Sequence, residues 1–74
     1  MTGVLTLDQV APDGLLLVVD WDTMEVGSSV FLPCINTTLA IKQARGIFER
    51  RDWDMRVAIR AENNMWGVRI WRAA

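Results

Sequence analysis

A chain of 74 residues, 51% of them apolar, with one cysteine, no histidine and a formal net charge of −1, makes one domain and leaves no room for a second. It has no partner for an internal disulfide, no histidine for a structural zinc site, and no base for a serine or cysteine nucleophile, so neither a cofactor nor a catalytic residue is expected. The small net charge hides a polarity. All eight basic residues lie in the last 33, whereas the first 41 hold Asp8, Asp13, Asp20, Asp22 and Glu25 and no lysine or arginine; such asymmetry bears on partners more than on fold.

The core of so short a chain supplies only about 3–5 kcal/mol on its own. Four tryptophans and this apolar content exceed what one small monomer buries, which predicts a homo-oligomer. Met1 to Gly14 has neither a basic leader nor a long apolar stretch, so it does not read as a signal peptide. Leu15 to Val19 is too short to span a bilayer. A single cysteine suits a reducing compartment. The expectation is a cytoplasmic protein with no membrane partner.

Residues 1–20 read as an N-terminal extension or interface strand of the single domain 1–74, with a turn at Pro12-Asp13-Gly14. Leu15 to Trp21 has the unbroken apolar character of a strand buried on both faces or at an interface. Asp22-Thr23 breaks the run. Glu25 to Pro33 resumes it, with a bulge or turn at Val26-Gly27 and a stop at Pro33. Asn36 or Thr37 caps a helix running to about Asp52, whose apolar stripe is Ala40, Ile41, Ala44, Ile47 and Phe48. Met55 to Glu62 alternates strictly, Asn63-Asn64 tolerates the left-handed backbone of a two-residue hairpin turn, and Met65 to Arg72 returns. The fold class is therefore α+β: a small antiparallel sheet, β-β-α-β-β, with one helix packed across it.

Pairing across Asn63-Asn64 places Ala61 opposite Trp66, Ile59 opposite Val68 and Val57 opposite Ile70, one apolar face with Trp66 in the core. The other face then carries Arg56 opposite Trp71, Ala58 opposite Arg69, Arg60 opposite Gly67, and Glu62 opposite Met65. Arginines beside an exposed aromatic suit nucleic acid, since guanidinium groups meet phosphates while the ring stacks on a base. Arg56, Arg60, Arg69, Trp71 and Arg72 are the candidate contacts, and Arg50 and Arg51 extend the patch. A structural account competes with this one. Arg56 over Trp71 is also an ordinary cation–π pair, and the remaining arginines have Asp52, Asp54, Glu62 or a second subunit's acidic half as partners.

Asp20, Trp21, Asp22 and Glu25 lack the spacing of a calcium loop. They suit instead a surface that meets a basic protein, with Trp21 either its anchor or a satellite core contact. Cys34 precedes the helix, a position that can lower a thiol pKa, although an inert buried cysteine is the commoner outcome.

The string Met24-Glu25-Val26-Gly27-Ser28-Ser29-Val30-Phe31-Leu32-Pro33, with a helix after it and Val68-Arg69-Ile70-Trp71-Arg72 at the close, resembles small proteins encoded by tailed bacteriophages. These show a Met-x-Val-Gly-Asp-Ser-x-Phe-x-Pro opening and a Val-Arg-x-Trp-Arg closing strand. The likeness covers roughly residues 21–72, with Ser28 in place of the usual aspartate. It implies a phage accessory protein acting in the host cell and hands over no catalytic residues. Three functions follow as expectations: a non-enzymatic nucleic-acid binder working through the Arg/Trp face, a module that modulates a host protein through its acidic half, and a self-assembling structural protein.

Overall fold

A computed structural model describes residues 9–74; Asp8 and the rest of residues 1–8 lie outside the described part. Three antiparallel strands, β1 (Ser29–Pro33), β2 (Met55–Glu62) and β3 (Met65–Arg72), form a sheet in the order β1-β3-β2, and helix α1 (Thr37–Arg50) packs on one face. This is the small antiparallel α+β architecture that the sequence predicts. The stretch expected as the first strand is reduced to one bridge. Pro12-Asp13-Gly14 turns the chain so that the Leu17 N–H donates to the Val10 carbonyl at 2.9 Å, and Trp21–Thr23 winds a single 3-10 turn. Leu15, Leu16 and Val18 stay exposed, because this arm pairs with itself and not with the sheet edge. The expected strand at Glu25 begins only at Ser29. Before it, Gly27 at φ +92° closes a turn in which the Ser28 N–H donates to the Glu25 carbonyl at 2.9 Å.

Both ends of α1 are specified by local chemistry. Asn36 Oδ1 accepts from the Leu39 N–H at 3.1 Å. Asp13 reaches in from the N-terminal arm and accepts from the Ile35 and Asn36 amides at 2.7 and 2.8 Å, joining arm to helix. At the other end the Asp52 N–H donates to Glu49 O at 3.1 Å and the Trp53 N–H to Phe48 O at 3.0 Å. These two bonds make a Schellman stop, with Asp52 as its left-handed residue at φ 59°. The apolar contact that accompanies such a stop is Trp53 against Phe48, edge to face at 5.6 Å. Glycine has no Cβ to strain at that φ, so Asp52→Gly is expected to stabilise the fold by about 0.5–1 kcal/mol. Urea denaturation measures it as a higher midpoint at unchanged slope.

The predicted stripe packs inward: Ala40, Ala44, Ile47 and Phe48 are buried against Val10, Leu32, Val68 and Ile70. Asn63 and Asn64 both adopt positive φ, 51° and 66°, and the hairpin register is the predicted one throughout. One apolar position departs from expectation. Trp66 is 49% exposed and not core, and its neighbours Val57 and Ile59 are 36% and 49% exposed. A helix about 10–12 Å across covers little more than two strands spaced about 4.8 Å apart. The central strand β3 is sealed at Val68 and Ile70 and Met55 at the start of β2 packs against the core, while Val57 and Ile59 farther along β2 stay exposed.

Candidate nucleic-acid interface

Strand alternation carries the side chains that α1 does not meet onto the far face of the sheet. Ser29 and Phe31 come from β1, Arg69 and Trp71 from β3, and Arg56, Arg60 and Glu62 from β2. Helix and N-terminal arm share the core on the other side. Four of the five predicted contacts thus stand on one face, but they are not equivalent.

Arg69 is committed within the fold. Its Nε and Nη2 fork onto Glu62 at 2.7 and 2.6 Å, its Nη1 donates to Ser29 Oγ at 2.7 Å, and its guanidinium lies 5.8 Å from the Phe31 ring centre. Hydrogen bonding from Arg69 holds the Glu62 carboxyl below the usual carboxylate range, and the same contact raises the Arg69 pKa. Arg60 touches Glu62 more loosely, Nε to Oε2 at 3.3 Å, and remains half exposed. Arg56 is exposed and has no ion-pair partner among the described residues. It lines, with Trp71, an open cleft of about 350 Å³ whose other walls are Val26, Gly27, Arg72 and Ala73.

The fifth predicted contact, Arg72, also lines that cleft, but its guanidinium leaves the far face. Arg72 pairs with Met55, and successive strand residues alternate in face, so its side chain projects toward the helix side. There the guanidinium lies 4.0 Å from the Trp53 ring centre and Nη1 donates to the Met24 carbonyl at 2.8 Å. Arg51 occupies the same side, bonded to Asp22 at 2.9 Å and 5.6 Å from Trp53. Neither extends the far face. Guanidinium–ring contacts among the described residues fall on Trp53 and Phe31 and not on Trp71.

The acidic interface loses its anchor. Trp21 is 2% exposed and meets Phe48 edge-on at 5.9 Å, because the 3-10 turn rotates the indole into the core. Asp20, Asp22 and Glu25 remain exposed, with Asp22 drawn to Arg51. Cys34 is 5% exposed and its thiol donates to the Leu32 carbonyl at 3.4 Å. Burial, and then the nearby Asp13 charge, push its pKa up, so it stays a thiol and not a nucleophilic thiolate. Among the described residues no cluster of three or more metal-ligating side chains forms, and no helix is long and apolar enough to cross a membrane.

Phe31 and Ser29 were not among the predicted site residues, although Phe31 alternates with Val30 and Leu32 as a far-face residue must. What the sequence did not show is that β1 pairs with β3 and so delivers Phe31 beside Arg69. No protein family, curated protein or solved structure matches this chain.

Proposed function

We propose that this protein is a non-enzymatic binder of single-stranded nucleic acid, working through the far face of its sheet. One observation carries the reading: Arg56, an arginine without an ion-pair partner among the described residues, lines the same cleft as the indole of Trp71. The cleft, about 350 Å³, is at the small end of ligand sites and fits a single base and not an extended duplex. Trp71 offers the stacking surface, Arg56 and Arg60 meet phosphates, and Arg69 positions Phe31 and Glu62 without touching the ligand. A single strand suits this face better than a duplex, because stacking requires an unpaired base.

The chain's net negative charge does not oppose the reading. Asp22 lies at the helix C-terminus with Arg51, whereas the paired strands of the far face bring together Arg56, Arg60 and Arg69 with one glutamate. The resemblance to small phage proteins agrees with an accessory role of this kind in an infected cell.

Fluorescence anisotropy of a labelled oligothymidylate tests the proposal. Stacking on one aromatic is worth about 1–3 kcal/mol, so Trp71→Ala is expected to weaken binding roughly 5- to 150-fold. Each phosphate met on a single strand adds about −0.7 to the slope of log affinity against log salt. Arg56→Gln should make that slope shallower by one such increment per chain. Equal affinity of wild type and Trp71→Ala, or no binding at low salt, would refute the proposal.

A further inference from the structure

Among the described residues, the sheet order leaves one side of β2 without a neighbour along all eight residues, Met55 to Glu62. In a two-residue hairpin the residues flanking the turn exchange both main-chain hydrogen bonds, so Glu62, Arg60, Ala58 and Arg56 spend their amides on β3. The bond from the Ala73 N–H to the Asp54 carbonyl, 2.8 Å, continues the same parity. Met55, Val57, Ile59 and Ala61 consequently turn their N–H and C=O groups outward. Natural edges are blunted by proline, bulges or inward-pointing charge. This one has neither proline nor bulge, and its charged side chains all project to the far face. On the helix side the same edge presents the half-exposed Val57 and Ile59, with Trp66 beside them.

We propose that this edge pairs with the same edge of a second copy, antiparallel about a two-fold axis through Ile59. Charge selects the partner and the register. Outward amides must oppose outward amides, so the axis passes through a residue and not between two. An axis through Ala58 sets Arg56 against the partner's Arg60, and one through Arg60 sets two copies of that arginine against each other. Like charges directly opposed are destabilising. An axis through Val57 avoids like charges but overlaps a shorter length of strand. Only the axis through Ile59 pairs residues 56–62 throughout without a like-charge contact, and it sets Arg56 against the partner's Glu62 at both ends of the seam. Arg56 has no ion pair within its own chain among the described residues.

Directly opposed residues point to one side, so Ile59 meets the partner's Ile59 and Val57 the partner's Ala61 on the helix side of the seam, next to Trp66 of each chain. The apolar surface that α1 leaves uncovered is closed by the second copy. The result is a continuous six-stranded sheet with both helices on one face and both Trp71 clefts on the other. With five donors, Arg56 bonds the partner's Glu62 and still presents N–H groups to the cleft.

Light scattering after size exclusion, on the whole chain, tests the pairing independently of nucleic acid. Wild type is expected at twice its 8.4 kDa chain mass. Ile59→Lys should halve the measured mass while far-ultraviolet circular dichroism remains unchanged, because the side chain is half exposed in the single chain and two lysines would collide at the axis. Ile59→Cys should form a disulfide-linked dimer on oxidation, since hydrogen-bonded cross-strand residues sit about 5.5 Å apart at Cα, within disulfide reach. Wild type at the single-chain mass at tens of micromolar, a dimer that persists in Ile59→Lys, or failure of Ile59→Cys to cross-link would each overturn the proposal. If the wild type binds no oligonucleotide while its molar mass stays doubled, the nucleic-acid reading fails and the pairing stands.

Discussion

Phe48→Ala is expected to destabilise the protein by about 3–5 kcal/mol, the range for deleting a buried aromatic side chain. The ring is 1% exposed and lies between Trp21 and Trp53, meeting each edge to face, at 5.9 and 5.6 Å. It joins three parts of the chain: the 3-10 turn of the N-terminal arm, the helix, and the segment that leads into the hairpin. Its carbonyl also accepts the Arg51 and Trp53 amides at the helix stop, 3.1 and 3.0 Å, so the residue closes both the backbone and the apolar half of that motif. At about 0.05–0.15 kcal/mol per residue, the whole chain has roughly 4–11 kcal/mol to lose. The substitution therefore removes about a quarter of the total or more. Thermal unfolding followed by circular dichroism should show a fall of well over ten degrees or no cooperative transition, and a shift of only a degree or two would contradict the packing described here.

Gly67→Ala is expected to cost about 2–3 kcal/mol, although it only adds a methyl group to a strand. Gly67 pairs with Pro33 and Arg60, where the end of β1 passes closest to β3. A Cβ there would press on the Leu32 carbonyl oxygen and stand 2.8 Å from Pro33 Cα and 2.9 Å from Phe31 Cζ. Two of those three atoms belong to the β1 backbone, and a strand held by its ladder does not yield as the end of a long side chain does. The third is the ring that lies against Arg69, so the same methyl group displaces Phe31 and disturbs the far face. Urea denaturation should show a lowered midpoint, and the Arg69–Phe31 contact should be lost in the variant. A change below about 0.5 kcal/mol would mean that β1 lies farther from β3 than described.

The hairpin was the most legible part of the sequence, because strict alternation and two asparagines leave one register and each pair follows by counting. The helix was equally plain, from its Asn36 cap to its buried stripe. Its precise stop was not, since an aspartate and not a glycine takes the left-handed position. The N-terminal arm misled for a physical reason. A run such as Leu15 to Trp21 reads as a strand whether or not an edge is available to pair with it, and here the turn at Pro12-Asp13-Gly14 directs its one ladder contact to Val10. The 3-10 turn at Trp21–Thr23 buries Trp21, so of the two readings that its sequence left open the core contact is the one found. Arg72 was misplaced by adjacency to Trp71, whereas alternation alone assigns neighbouring residues to opposite faces. The commitment of Arg69 to Glu62 lay outside pairwise register, since it joins positions seven residues apart along the hairpin as a diagonal contact.

The most direct measurement is amide chemical-shift mapping of the ¹⁵N-labelled protein titrated with a short unlabelled oligothymidylate at low salt. Saturable shifts are expected at Arg56, Ala58, Arg60, Arg69 and Trp71, with the Trp71 indole N–H moving most and Ala40, Ala44 and Ile47 on the helix still. Shifts confined to Asp20, Asp22 and Glu25, or no shifts at saturating oligonucleotide, would contradict a nucleic-acid site on this face.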